Sequence, residues 1–120
     1  MTTVTINRSA SPQGEKLAFH AAGHAAYGPK GADIVCAAVS ILSYTLAREM
    51  EKLEADGGLA IFSASFEEGA VRIEAIPRRF AKRQACTVYQ TILSGFCLLA
   101  EAYPENIRLR ADFEPVHAGD

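Results

Sequence analysis

The sequence predicts an α+β domain, with two long helices packed on an antiparallel-rich mixed sheet in the order β-β-α-β-β-α-β. Three observations predict this class. Segments in which apolar and polar residues alternate occur in pairs, and turn residues separate the two members of each pair. Two longer segments carry apolar residues at helical spacing, and a short alternating segment follows the second of them. Because hairpins and single helices alternate along the chain, the strands form one sheet and the helices cover it.

The first hairpin occupies the N-terminal fifth of the chain. Val4 and Ile6 alternate with polar residues and predict a half-buried first strand. Residues 11–14 (Ser-Pro-Gln-Gly) have the composition of a turn. Alternation resumes at Leu17 and predicts a second strand that ends near His24. The following residues, 25–32, have two glycines around a proline and predict a mobile loop.

The first helix is predicted to begin after Asp33, because aspartate is a preferred N-cap residue. Asp56-Gly57-Gly58 ends it, since glycine adopts the left-handed conformation common at helix C-termini. The predicted apolar stripe consists of Val35, Ala38, Ile41, Leu42, Thr45, Leu46, Glu49, Met50 and Leu53.

The second hairpin and second helix follow. Residues 59–66 predict a buried strand, residues 67–69 a turn, and residues 71–75 a returning strand that Pro77 breaks. A helix over residues 80–103 then ends before Pro104. Its predicted inward residues are Ala85, Val88, Ile92, Phe96 and Leu99. Ile107 and Leu109 alternate with arginines in a last short strand.

The composition is that of one globular domain. The chain has 120 residues, of which 49% are hydrophobic and 22% charged, so we expect a single domain over residues 1–112 and a loose tail over residues 113–120. The net charge of −2 argues against a protein that mainly coats nucleic acid or anionic lipid. No charge-free apolar stretch approaches the ~18 residues of a membrane span, and the N-terminus lacks a signal-peptide pattern. We therefore expect a cytoplasmic protein without a membrane partner.

The three cysteines do not form a disulfide framework. Cys86 and Cys97 lie in one helical segment, roughly 16 Å apart, which is too far for a bridge. The sequence has neither a Cys-x-x-Cys pair nor clustered histidines and cysteines, so we expect no metal site and no cofactor.

Cys36 is the cysteine best placed for chemistry. It occupies the third position of the first helix, where free backbone N–H groups and the helix dipole favour a thiolate and could hold a developing oxyanion. His24 precedes it by twelve residues, and the loop between them is long enough to bring the imidazole to the thiol as a base. His20 lies inside a strand and His117 in the tail, so both are weaker candidates. The alternative is that Cys36 is a core residue and His24 structural.

Two motifs carry a family resemblance. Gly23-His24-Ala25 precedes the loop, and residues 33–40, which read DIVCAAVS, follow it. These motifs, with YPENIRL at residues 103–109, resemble the bacterial ribosomal-processing cysteine protease (Prp) family over residues 1 to about 112. The resemblance implies a cysteine endopeptidase with a dyad of Cys36 and His24. It also implies removal of the N-terminal extension of large-subunit ribosomal protein twenty-seven, a homodimer, and a loop that moves when substrate binds.

The remaining motif residues have open roles. Gly23, Gly28 and Gly31 give the loop and its entry conformational freedom. Asp33 is a helix cap or a third catalytic residue. Ser40 either bonds back to the carbonyl of Cys36 or faces the site. Pro29-Lys30 in the loop and residues 47–83 match no motif of the family.

One further cluster gives a different hypothesis. Arg78, Arg79, Lys82 and Arg83 open the second helix, where cations oppose the helix dipole. They form a solvated face, or they contact ribosomal RNA or an acidic partner, in which case the chain is a non-catalytic ribosome- or RNA-associated binding module. The two functions differ in that only the protease needs Cys36 and His24. For a protease, nucleic acid is a partner only through the ribosome.

Overall fold

The computed structural model describes residues 1–113. Five strands and two long helices follow one another in the predicted order. The strands are β1 (Thr2–Ser11), β2 (Gly14–Ala22), β3 (Leu59–Glu67), β4 (Ala70–Pro77) and β5 (Ile107–Asp112), and the helices are α1 (Ile34–Ala55) and α2 (Lys82–Ala102). A short 3₁₀ turn, Arg79–Ala81, precedes α2.

The five strands form one mixed sheet in the order β3-β4-β2-β1-β5. Three neighbouring pairs are antiparallel, and only β1 and β5 run parallel, with Thr2 opposite Ile107. The parallel pairing follows from the chain path, because α2 carries the chain back before β5 starts. The predicted antiparallel-rich mixed sheet is therefore confirmed.

The core lies between the sheet and the two helices. Alternate residues of the central strands are buried, as in a sheet covered on one face. Phe19 of β2 meets Phe96 of α2 with ring centroids 5.4 Å apart. Where the helices cross, a Cβ on Gly95 would lie 2.8 Å from Leu42 Cδ2, so a larger residue there requires the Leu42 side chain to move. Burial of each large apolar side chain contributes about 1.5–3 kcal/mol. The largest buried apolar residues are Val4, Ile6, Leu17, Phe19, Val35, Leu46, Met50, Ile73, Tyr89 and Phe96.

Two expectations about burial are wrong. The strand predicted as buried is the edge strand β3, in which only Leu59 is buried, because an edge strand has one neighbour and the helices cover the sheet centre. On α1, Ile41 is 63% exposed and Thr45 is exposed. The buried stripe contains Val39 and Ser43 instead, which places Ile41 on the opposite side of the helix.

Helix α2 is closer to a membrane-spanning composition than expected. Within residues 1–113, the helical stretch from Arg79 to Ala102 alone contains an 18-residue window that is apolar enough to span a membrane. In the fold, however, Tyr89 and Phe96 are buried against the sheet, whereas Thr91 and Ser94 are exposed. This two-sided pattern is that of a core helix in a globular domain.

The C-terminal end contributes one more core contact. Phe113 stacks on Tyr89 with ring centroids 6.0 Å apart. The rest of the predicted loose tail, residues 114–120, lies outside the described residues.

Candidate active site

His24 and Cys36 face a common groove. The groove has a volume of about 400 Å³ and lies between the end of β2, the start of α1 and the β3–β4 turn. A second cavity of about 350 Å³, under the loop of residues 25–32, also has both side chains in its wall. The structure therefore brings together the two residues that the motifs single out.

Gly23 fixes how the chain leaves β2 towards His24. Its φ is +94°, and a Cβ at this position would lie 2.5 Å from the carbonyl oxygen of Met1. Both observations restrict the position to glycine. The exposed imidazole of His24 lies against Gly69, with Nε2 3.4 Å from where a Gly69 Cβ would be.

Cys36 is half-buried at the third residue of α1, as predicted. The backbone N–H of Ala25 donates to its Sγ at 3.4 Å. Between the side chains of His24 and Cys36, both within the described part of the chain, there is no hydrogen bond. The residue after His24 thus contacts the sulfur, whereas the imidazole is turned towards the β3–β4 turn.

The carboxylate of Asp33 joins the loop to the helix. Its Oδ1 accepts from the N–H groups of Val35 and Cys36 at 2.9 and 3.0 Å, which makes Asp33 the N-cap, as predicted. Its Oδ2 accepts from the N–H groups of Tyr27 and Gly28 at 2.9 and 3.0 Å. One side chain therefore positions both Cys36 and the loop that starts beside His24.

The expectation that the first-turn N–H groups of α1 are free for an oxyanion is wrong for Val35 and Cys36. Both donate to Asp33, because a cap satisfies the donors that the helix leaves without partners. The N–H group that the structure brings to the sulfur belongs to Ala25 instead.

Hydrogen bonding keeps Asp33 ionised. Burial on its own would raise the pKa of this carboxyl, but the four backbone N–H groups of Cys36, Gly28, Tyr27 and Val35 together lower it below its ordinary value. Asp33 is therefore a carboxylate at neutral pH, and it is acceptor-only in this state.

The first part of the loop is held by contacts of Ala25 and Tyr27. The side-chain amide of Asn106 donates to the carbonyl of Ala25 at 2.9 Å, and the ring of Tyr27 meets Tyr103 edge-on with centroids 5.0 Å apart. Between these anchors Ala26 has a φ of +57°, which is unusual for a residue other than glycine. Gly31, with a φ of +88°, occupies the second half of the loop.

Lys30 closes the loop against the β3–β4 turn through an ion pair with Glu68. The hydrogen bond and charge of each partner raise the pKa of Lys30 and lower that of Glu68. Both side chains are well exposed, at 81% and 68%, so solvent screens the pair and it contributes little to stability. Lys30, for which no motif gave a role, thus makes a weak contact that an opening loop can break.

The far part of the groove has a mixed wall. Ser40 lines it without a hydrogen bond to another described residue, so its hydroxyl faces the site rather than the carbonyl of Cys36. Tyr44 and Phe66 stack in parallel with ring centroids 4.4 Å apart. The groove therefore offers a polar hydroxyl beside Cys36 and an aromatic wall further along α1.

Other sequence candidates lie elsewhere. His20 borders a separate cavity on the uncovered face of the sheet, with Arg72 and Glu74. Cys86 is buried and Cys97 half-buried on α2. His117 lies outside the described residues. Among residues 1–113 no three metal-binding side chains come together.

Replacement of Asp33 by Asn should destabilise the loop more in neutral than in acidic solution. An amide has one oxygen, so it keeps either the cap bonds or the loop bonds and presents an N–H group to the other donors. Since the folded pKa of Asp33 is lowered, its stabilising effect is complete above about pH 4, the unfolded pKa, and is lost as the pH falls through the folded value. The measurement is the Tm of both proteins between pH 2.5 and 7.

Wild type and Asp33→Asn should therefore differ by a constant Tm from pH 7 to about pH 4 and converge below it. Asp56→Asn is the matched control, because Asp56 is an exposed aspartate at the other end of α1. A Tm difference that stays constant down to pH 2.5 would contradict the role of the Asp33 charge.

Comparison with known proteins places the chain in a family. The family described as cysteine protease Prp matches residues 1–108. The essential ribosomal processing protease Prp from S. aureus, crystallised with a covalently linked product peptide, is 27% identical with a TM-score of 0.70, over 93% of this chain and 100% of that one. SMU.848 from Streptococcus mutans is 26% identical with a TM-score of 0.66, over 95% and 96% of the two chains.

A second complex of the S. aureus protease, with a substrate peptide, is 24% identical over 93% of this chain and 100% of that one, and its TM-score of 0.64 shows the common fold. No curated protein sequence matches the chain. The family match covers both site motifs, the loop between them and most of the YPENIRL segment. The chain therefore belongs to the cysteine protease Prp family, as its motifs predict.

Proposed function

We propose that the chain is the endopeptidase that removes the N-terminal extension of large-subunit ribosomal protein twenty-seven, with Cys36 as nucleophile and His24 as base. The observation that carries the dyad is the contact of the Ala25 N–H with Cys36 Sγ in a groove that His24 also lines. Family membership in the ribosomal processing proteases supports the substrate. Membership in a protease family also argues against the alternative that the chain is a non-catalytic binding module.

The proposed reaction is acyl transfer through the thiol. His24 takes the proton from Cys36 Sγ, and the thiolate attacks the carbonyl carbon of the scissile peptide bond. His24 returns the proton to the leaving amine as the C–N bond breaks, and a thioester remains on Cys36. Water then attacks the thioester with His24 as base, which releases the acid product and restores the thiol.

The backbone N–H of Ala25 is the proposed oxyanion donor. Its nitrogen is 3.4 Å from Cys36 Sγ. A short shift would bring it to the carbonyl oxygen of the peptide bond that the sulfur attacks, where negative charge develops. The N–H of Cys36 is unsuitable while Asp33 accepts from it. Asp33 thereby acts as a positioning residue rather than as a third member of the catalytic set.

The groove accepts an extended peptide in this proposal. Glu67 and Glu68 give its wall two carboxylates, and the stacked rings of Tyr44 and Phe66 give it an apolar surface for peptide side chains. The S. aureus relative was crystallised with a covalently linked product peptide, which supports a peptide bound at the nucleophile.

Ribosomal proteins are made in the cytoplasm, and the three cysteines are free, so we propose a cytoplasmic location.

Variants of the dyad test the function directly. A synthetic peptide that spans the junction between extension and mature protein in the same organism is incubated with each variant, and the products are identified by mass. Cys36→Ala and Cys36→Ser should abolish cleavage, and His24→Ala should reduce kcat/KM by about 10²–10⁴-fold. When the wild-type reaction is quenched early, the protein should have gained the mass of the acyl part of the peptide, bound to Cys36 as the thioester.

Cys97→Ala is the control, because Cys97 is a half-buried thiol on α2 away from the groove. It should cleave like wild type. Cleavage that persists in Cys36→Ala would overturn the mechanism. Cys36-dependent cleavage of other peptides but not of this junction would overturn the substrate alone.

Gly31→Ala should slow turnover through the loop. The residue has a φ of +88° with no atom within 4 Å of an added Cβ, so the substitution strains the backbone by roughly 1–2 kcal/mol without a clash. Gly57→Ala is matched to it, with a φ of +78° and equally open space at the end of α1. Both variants should lose similar thermal stability, and only Gly31→Ala should lower kcat/KM. Equal turnover in the two variants would show that the loop has no part in catalysis.

We further propose that the protein is a homodimer that pairs through its helix layer. Ile41 and Leu98 are 63% and 68% exposed, and they flank the helix crossing, where Leu42 packs on Gly95. Large apolar side chains on one surface are typical of association between copies. Sedimentation at micromolar concentration should give a dimer for wild type and for the control Gln13→Glu, which places the same charge at an exposed residue of the β1–β2 turn, and a monomer for Ile41→Glu. A monomeric wild type would contradict this proposal.

A further inference from the structure

An exposed basic and aromatic surface lies where the chain enters α2. We define the α2 entry surface as the side chains of Arg78, Arg79, Phe80 and Arg83, all of which are exposed. Phe80 is 75% exposed, more than any other large hydrophobic residue that the structure describes. The sequence pattern predicts that the second helix begins at Phe80, but the ring of this residue does not enter the core.

The backbone beneath this surface is firmly held. The N–H of Arg78 donates to the carbonyl of Gly58 at 2.8 Å, and the N–H of Ala81 donates to the carbonyl of Arg78 at 3.0 Å. Ala81 is buried against Gly58, where an added Cβ would lie 2.9 Å from the Ala81 Cβ. Because Ala81 occupies the inward position of the turn, Phe80 is fixed outward.

The arginines of the α2 entry surface do not stabilise the fold. Among the described residues none of the three forms an ion pair, whereas Lys82 reaches away from them to Glu15 at 3.0 Å. The first turn of α2 has no acidic residue and no side-chain cap, so these cations oppose the helix dipole. Three unpaired positive charges and an uncovered ring thus gather on a chain of net charge −2.

We propose that the α2 entry surface binds single-stranded RNA, with phosphates held by the arginines and a base stacked on Phe80. Arginine binds phosphate oxygens through two N–H groups at once, and an exposed ring stacks on any base. One ring without apolar neighbours in the cluster is too small an area for insertion into a membrane. An acidic peptide would use the charges and leave the ring unused. The choice of RNA over DNA rests on the proposed function at ribosomal protein precursors.

The RNA site and the protease groove do not share residues. None of the four side chains lines the groove at Cys36, so RNA and a peptide can be bound at the same time. RNA binding would then hold the protease near precursor proteins that are themselves bound to RNA, and it would raise their effective concentration. The chain is in this proposal a protease with a separate docking surface, not a binding module in place of an enzyme.

Fluorescence anisotropy with a labelled twelve-nucleotide single-stranded RNA tests the proposal. Arg79→Ala/Arg83→Ala should weaken binding by about tenfold or more and reduce the slope of log K against log salt by about 1.4. Phe80→Leu keeps an apolar side chain but removes stacking, and it should weaken binding by about fivefold or more. Arg108→Ala/Arg110→Ala is the matched control, because it removes two exposed arginines of β5 that form no ion pair with another described residue.

Three outcomes would overturn the proposal. The first is an equal loss of RNA binding in the control, which would show nonspecific attraction. The second is no binding of RNA together with binding to vesicles of phosphatidylcholine and phosphatidylglycerol. The third is tighter binding to polyglutamate than to RNA, without an effect of Phe80→Leu. Cleavage of a short peptide should be the same in all these variants, so failure of RNA binding leaves the proposed protease function intact.

Discussion

The carboxylate of Asp33 is the interaction on which the site depends. Four backbone N–H groups from two segments converge on its two oxygens, two from the loop and two from the first turn of α1. The backbone N–H groups of neither segment have a partner in secondary structure here. The first turn of a helix leaves its N–H groups unsatisfied, and a loop lacks the hydrogen bonds that join strands in a sheet. An ionised acceptor forms stronger hydrogen bonds than a neutral one, so a single charge replaces the secondary structure that is missing here. Cys36 and the residues after His24 consequently hold a common position.

A second set of contacts connects this arrangement to the sheet. Asn106 accepts from the N–H of Thr2 through its backbone and donates to Ala25 through its side chain, so the start of β1, the approach to β5 and the loop meet at one residue. Gly23 passes so close to Met1 that a larger residue would not fit. The sheet is rigid, and groups that must be placed precisely are best carried on such elements. Among the described residues, the contact of the loop's other side with the β3–β4 turn is the solvent-screened pair of Lys30 and Glu68, so this side can open without breaking the contacts of Ala25 and Cys36.

Much of this fold follows from local patterns, and the site follows only in part. Alternation and helical spacing predict all seven elements, because burial on one face imposes those periods. They fail for β3 and Ile41, since apolar residues in an edge strand or on an outer helix face look the same in sequence as core residues. The motifs locate His24, Cys36 and Asp33. The supporting contacts of Asn106 with Ala25, Tyr103 with Tyr27 and Phe66 with Tyr44 join residues far apart in sequence, and no local pattern contains them.

The cap also decides which groups remain for chemistry. A helix start can offer its N–H groups to a side chain or to a developing oxyanion, but not to both. In this chain Asp33 accepts from the N–H groups of Val35 and Cys36, and the N–H group at the sulfur belongs to Ala25, which is why the proposed mechanism takes its oxyanion donor from the loop. Backbone strain lies next to this contact. Ala25 is buried at the sulfur, and the following residue, Ala26, has a positive φ. The carboxylate that caps α1 at Cys36 thus also orders the loop that holds the Ala25 N–H at the sulfur.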